Sequence, residues 1–249
     1  MTDSTWASRT DPRPADLPAP NLNPHLRRHV EWGPPVLTAT DAAALRGRWA
    51  DAFPRAQPLH LEVGPGNGFH LAAMAARHPD RNWLGVEIRY KRVVLCAKKI
   101  EAAGATDNAR ICRYDAWWLD DLFVPGEVAG LYVNHPDPWT KDRHEKKRLM
   151  GPFFAAWAAR AMAEGASLRL KTDHRPNVER LVAAFDGLPL RVVGRSDDVA
   201  ANGLPWPEDD DVRTNYQSKF DKRGEPIYAM LAERVAGEAP PLDPGLRAP

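Results

Sequence analysis

Cysteine is nearly absent. Cys96 and Cys112 are the only two in 249 residues, and neither stands in a Cys-x-x-Cys or Cys/His spacing. That excludes a disulfide framework and a zinc site, and leaves both thiols as buried apolar fillers. His70, His78, His135 and His174 have no metal-like partners by spacing either, and read as ordinary surface or core residues. No metal is expected. There is no apolar run long enough to span a bilayer, and no basic start followed by an apolar middle that would mark a signal peptide, so a cytoplasmic protein without membrane contact is expected. Net charge is only +1, which excludes a uniformly basic surface. Any attraction to phosphate must be local.

What the chain does have is length and an apolar fraction of 43%, enough for one large α/β domain with a proper core. Residues 1–40 are rich in proline and polar side chains and read as a flexible N-terminal arm, with Arg27, Arg28 and His29 as a small cationic cluster open to either solvent or RNA. Residues 237–249 read as a flexible tail, which leaves 41–236 as the catalytic domain. Within it strands and helices alternate. Strands are expected at 59–63, 83–88, 109–114, 130–134, 167–172, 190–194 and 227–233. Helices are expected at 69–76, 91–103, 117–123, 147–163 and 177–185. Such alternation predicts a doubly wound, mostly parallel sheet of seven strands, with ligands outside the carboxyl ends of the strands.

The first of those strand ends carries Glu62 and the turn Gly64-Pro65-Gly66-Asn67-Gly68. The spacing is G-x-G-x-G, with Phe69 where a dinucleotide fingerprint needs its third glycine, so close backbone approach is permitted but a pyrophosphate is not called for. Glu62 lies in an apolar strand and is costly to bury unless it meets a cation or hydrogen-bond donors. Glu87 ends the second strand, where a carboxylate can accept from two ribose hydroxyls, and Asp115 after the third can accept from an adenine amino group. Three acids at successive strand ends favour S-adenosylmethionine over a nicotinamide cofactor.

Further along, Asn134-His135-Pro136-Asp137-Pro138-Trp139 places an acid between two prolines, which fix the backbone on either side and remove two amide donors. Trp139 reads equally as a core residue and as a platform for a base. Residues 141–148 then carry five Lys/Arg against Asp142 and Glu145, a local charge of +3. Cations are unfavourable at a helix start, so their density there asks for phosphate partners. The acidic run 208–211 reads as a solvated loop.

The order E-x-G-x-G-x-G, a glutamate ending the second strand, N-x-P-D-P-W-x-K-x-R-H-x-K-K-R, a later Thr172-Asp173 and T-x-Y-x-x-x-F resembles the bacterial tRNA (guanine-N7)-methyltransferase family. The likeness covers residues 59–234. It implies a Rossmann-like methyltransferase fold and transfer of a methyl group from S-adenosylmethionine to N7 of a guanine in the variable loop of tRNA. It implies further that Glu62, Gly64, Gly66, Gly68, Glu87, Asp115 and Asp137 line the cofactor site, with Asp137 catalytic. Lys141, Asp173, Thr214, Asn215, Tyr216 and Gln217 would face the guanosine, and Arg143, His144, Lys146, Lys147 and Arg148 the tRNA. Where the family usually has Glu, this chain has Gln217, an amide with one acceptor and two donors in place of an acceptor-only group, so more of the guanine selectivity falls to Asp173. An exocyclic-amino methyltransferase and a non-catalytic RNA-binding module on the same fold are the alternatives. Monomer and homodimer are equally open.

Overall fold

The computed structural model describes residues 24–213 and 215–247, which divide into two compact units, one ending at Phe123 and one beginning at Val124. In the first, strands β1 (Val36–Leu37), β2 (Leu59–Val63), β3 (Asn82–Glu87) and β4 (Ala109–Arg113) lie in the order β1-β4-β3-β2. Every neighbouring pair is parallel, with Glu62 opposite Gly85 and Glu87 opposite Arg113. All residues of β2, β3 and β4 are buried, the continuous burial expected of strands covered on both faces. Helices Phe69–Arg77 and Tyr90–Ala102 make the crossovers.

In the second unit β5 (Val128–Asn134) pairs in parallel with β6 (Met162–Thr172), and β8 (Tyr228–Arg234) runs antiparallel to both β6 and β7 (Leu190–Ser196). β7 alternates buried and open positions, as suits a sheet with one face toward solvent. Between β5 and β6 lies the helix Pro152–Ala161, apolar nearly all round and buried, with Phe153, Trp157 and Ala161 among its core residues. It is shorter than the 147–163 expected. Arg148 and Gly151 are extended, Pro152 sets the first turn, and Met162 already belongs to β6. Lys141–Arg148 thus forms a 3-10 segment of its own over Asp142–Lys147.

Residues 1–23 of the expected N-terminal arm lie outside the described residues. Among the described residues regular structure is already present from Pro24, ahead of residue 41: the helix Pro24–Glu31 is followed by β1, an eighth strand too short to register as one in the sequence. Its anchor is His29, fully buried with its ring 5.1 Å from that of Tyr90, while Trp32 donates to Glu101 at 2.9 Å. Of the described members of the cationic cluster Arg28 is exposed, 4.6 Å from the Trp32 ring; the Arg27 side chain lies outside the described residues. At the other end Arg234 donates to the Gly237 carbonyl and Arg160 to that of Pro240, and Arg247 stands 5.7 Å over Phe153. Arginine donors to main-chain carbonyls hold a segment whose own side chains carry no periodicity.

Candidate functional site

The unit ending at Phe123 presents the glycine turn and three acids. Gly64, Gly66 and Gly68 all have left-handed backbone. Side chains at Gly64 and Gly66 would meet open space, so the room beside that turn is free for a ligand. Gly68 serves a different end. A Cβ there would stand 2.4 Å from Cys96 Sγ and 2.7 Å from its Cα, so the glycine lets the helix it caps, Phe69–Arg77, close on Tyr90–Ala102. Gly68→Ala is expected to cost about 1–3 kcal/mol of stability through left-handed strain and overpacking. Urea denaturation checks this, and an unchanged midpoint would refute the packing role. Cys96 itself is fully buried, and that burial, with Glu62 and Glu87 nearby, pushes its thiol well up.

Glu62 is 1% exposed, and its Oε2 lies 3.2 Å from Nδ1 of His70, itself buried. The buried acid lies beside a histidine that reads as ordinary in the sequence; five residues of turn separate β2 from the helix that carries it. Glu87, at the end of β3, accepts from the Gly66 N–H at 3.2 Å and the Arg89 N–H at 2.9 Å. One carboxylate therefore ties the glycine turn to the second strand. Burial, the largest influence, pushes Glu87 up from the usual carboxylate range, and the two N–H donors with Arg92 and Arg89 only partly offset it. Asp115 caps the 3-10 turn Ala116–Asp121 by accepting from the Trp117 N–H at 3.0 Å.

The unit beginning at Val124 holds the acid turn. Asp137 is exposed, and the chain on both sides of it is strained and braced. His135 and Trp139 have φ of 50° and 42°, left-handed values uncommon outside glycine. His135 N–H donates to the Lys171 carbonyl at 2.7 Å, Asn177 Nδ2 to that of Pro136 at 3.4 Å, and Arg148 Nε to that of Trp139 at 3.0 Å. The sequence shows the prolines but not these three bonds, whose partners come from β6, the helix Arg175–Ala183 and the far end of the basic run.

Those contacts sort the basic run. Arg148 holds the turn, with Nε on the Trp139 carbonyl and Nη2 3.5 Å from that of Thr140. Lys147 Nζ sits 4.8 Å over the Trp139 ring and His144 meets the same ring edge-on at 5.1 Å. Trp139 is thus the post around which the segment folds, and neither a core residue nor a vacant platform. Lys141, Arg143 and Lys146 are exposed. Changing Arg143, Lys146 and Lys147 together to Ala is expected to weaken tRNA binding about 10- to 100-fold and to reduce the slope of log affinity against log salt by about 2. Filter binding across a salt series measures both, and an unaltered slope would refute the assignment. Arg148→Ala should leave that slope nearly as it was.

Of the residues expected to face a guanosine, Thr214 lies outside the described residues, as does the Asn215 side chain. Tyr216 is 52% exposed and Gln217 only 7%. Gln217 Oε1 lies 3.4 Å from Nζ of Lys171, a β6 lysine only 1% exposed that also meets both carboxylate oxygens of Asp211 at 2.8 Å and the Val212 carbonyl at 3.3 Å. Asp210 likewise pairs with Arg169 at 3.1 Å. The acidic run is therefore no solvated loop; two of its members anchor the segment 208–217 on β6. Asp211 already balances Lys171, so an amide at 217 supplies an acceptor without adding a second buried negative charge. A cavity of about 570 Å³ opens on this side, lined by Asp198, Glu208, Asp211 and Glu225 as well as Arg213 and Gln217. Its mostly anionic wall is wrong for phosphate.

Asp173, just past β6, is within 3.5 Å of His135 Nδ1. Burial works to raise its carboxyl, but the His135 hydrogen bond, its own backbone N–H and the neighbouring His135 and His174 rings together hold it below the usual carboxylate range.

Comparison with known proteins agrees with this geometry. A family model described as a putative methyltransferase matches residues 56–230. The tRNA (guanine-N7)-methyltransferase of Levilactobacillus brevis is 36% identical over 190 residues, 76% of this chain and 85% of the relative; that of Bacillus subtilis is 33% identical over 212 residues, 83% and 97% of the two chains. Among solved structures, the 16S rRNA methyltransferase KamB superposes with a TM-score of 0.53 at 16% identity, covering 79% of this chain and 94% of its own, and the antibiotic-resistance methyltransferase Kmr with 0.50 at 16%, covering 73% and 88%. At that identity the structures show the Rossmann-like methyltransferase fold, while the sequence relatives show more: the chain belongs to the tRNA (guanine-N7)-methyltransferase family.

Proposed function

We propose that this protein transfers a methyl group from S-adenosylmethionine to N7 of a guanine in tRNA, in the variable loop. What supports this reading most is the exposed Asp137, held between two left-handed residues by three separate main-chain hydrogen bonds and followed by exposed cations. The residues up to Phe123 fit a nucleoside-bearing cofactor. Gly64 and Gly66 leave open space at the turn, and Glu87 presents a carboxylate beside it that suits a ribose diol. Asp115 is assigned to the adenine end and the Glu62–His70 pair to the floor of the turn.

S-adenosylmethionine supplies an electrophilic methyl carried on a sulfonium. N7 of guanine has an in-plane lone pair and no proton, so no residue has to act as a base. Asp137 positions the reacting groups and stabilises positive charge as it passes to the purine. Tyr216 and Asp173 receive the base, and Lys141, Arg143, Lys146 and Lys147 neutralise the flanking phosphates. Since side chains cannot read the deep, narrow major groove of A-form RNA, the guanine is taken from a loop or exposed by local rearrangement.

The experiment is to incubate the purified protein with a methyl-labelled donor and unmodified tRNA, then locate the product by aniline cleavage and nuclease digestion with mass spectrometry. Label on N7 of a single guanine is expected. Label on an exocyclic amine would establish the amino-methyltransferase instead, and tRNA binding without cofactor binding in calorimetry would establish a non-catalytic module.

A further inference from the structure

His135 occupies a position that an aromatic hydrocarbon ring would fill at lower cost. Its side chain is 5% exposed and its ring lies parallel to Phe220, 6.3 Å between centroids at 8°, with Tyr216 at 5.1 Å. Yet it is an imidazole, on a strained backbone, and its Nε2 is buried with no hydrogen-bond partner among the described residues. A buried polar atom without a partner is an exception that asks for a reason. Nδ1 is not in that position: it stands 3.5 Å from Oδ1 of Asp173, which, held as a carboxylate, can only accept. With Nδ1 donating to that carboxylate, the one-proton form of the ring carries its lone pair on Nε2.

We propose that His135 selects guanine in the methyl-transfer reaction, its Nε2 accepting a hydrogen bond from the exocyclic 2-amino group while the Asp173 carboxylate accepts from N1–H. The inference rests on the reading that the substrate is a guanine in tRNA. Two acceptors side by side complement two adjacent donors on the base, and adenine, whose N1 is an acceptor and which lacks a 2-amino group, meets acceptor against acceptor. Gln217 does not supply this pair, because its carbonyl oxygen is turned to Lys171. Tyr216 is the exposed ring beside the imidazole, so entry of a base displaces it and uncovers Nε2. The electrostatics suit the arrangement: Asp173 keeps its charge, and among the described residues the Tyr216 and Phe220 rings and the Lys171 carbonyl face His135 from neighbouring elements.

Inosine differs from guanosine only in lacking the 2-amino group and is the probe. In tRNA carrying guanosine or inosine at the modified position, the wild-type protein should methylate guanosine with a kcat/KM about 10- to 100-fold higher. His135→Phe should bring the guanosine-to-inosine ratio down to about 1, whatever the absolute rates, while His135→Gln, which restores an acceptor, should recover part of the preference. A guanosine-to-inosine ratio in His135→Phe equal to wild type, with both rates lowered together, would overturn the proposal and point to a contact with O6 or to packing alone. Absence of methylation of either tRNA by the wild-type protein would refute the guanine-N7 reading itself, a separate failure.

Discussion

Replacing Asp137 by asparagine lowers the rate of methyl transfer about 100- to 1000-fold, the scale seen when a preorganised electrostatic partner of a transition state is removed. The substitution is nearly isosteric and falls on an exposed side chain, while the turn that carries it is held through main-chain atoms of His135, Pro136 and Trp139. Thermal stability and tRNA affinity should therefore stay close to wild type, and the loss should appear in kcat. Because N7 has no proton to surrender, the pH profile of the wild-type rate should show no limb that Asp137→Asn abolishes. Single-turnover rates between pH 6 and 9 for both proteins decide it. A basic limb present in wild type and missing in the variant would make Asp137 a general base and overturn the mechanism.

The prolines around Asp137 and the +3 run after it are legible in the sequence because their effects are local: ring-fixed angles and charge density need no tertiary partner. The alternation of strands and helices is legible for the same reason. What could not be read is every contact that joins distant positions. Nothing in the sequence shows that the Arg148 guanidinium meets the Trp139 carbonyl. Glu62 announces that it needs a partner, but nothing marks His70 over the other histidines. Asp211 and Lys171 stand 40 residues apart, and each alone reads as surface charge. β1, two residues long, is held by its register against Ile111 and Cys112 and by no pattern of its own. His135 looks ordinary because spacing to metal-like partners was the only test a lone sequence offers; its left-handed backbone and its partner Asp173 exist only in three dimensions.

The Lys171–Asp211 pair carries the other large expectation. Both side chains are buried, at 1% and 8% exposure, so each charge leans on the compensation the other supplies. Lys171→Met removes the cation that meets both Asp211 carboxylate oxygens, at a cost of about 3–5 kcal/mol. In a chain of this length that corresponds to a fall in Tm of roughly 6–20 °C. The double change Lys171→Met with Asp211→Leu removes both charges and should recover most of the loss, since the buried pair contributes little beyond its mutual compensation. Function should not recover with it. Lys171 also meets the Val212 carbonyl and the Gln217 amide, and Gln217 neighbours Tyr216 on the helix Asn215–Asp221. Without the ammonium the run 211–217 loses the hub that fixes it, and the KM for tRNA should stay raised in a protein whose melting temperature has returned. Calorimetry and steady-state kinetics on the three proteins separate the two effects. A double variant as unstable as Lys171→Met would show that packing of the lysine stem, not charge, is what β6 depends on there, and a normal KM would show that the run expected to face the guanosine is positioned by other means.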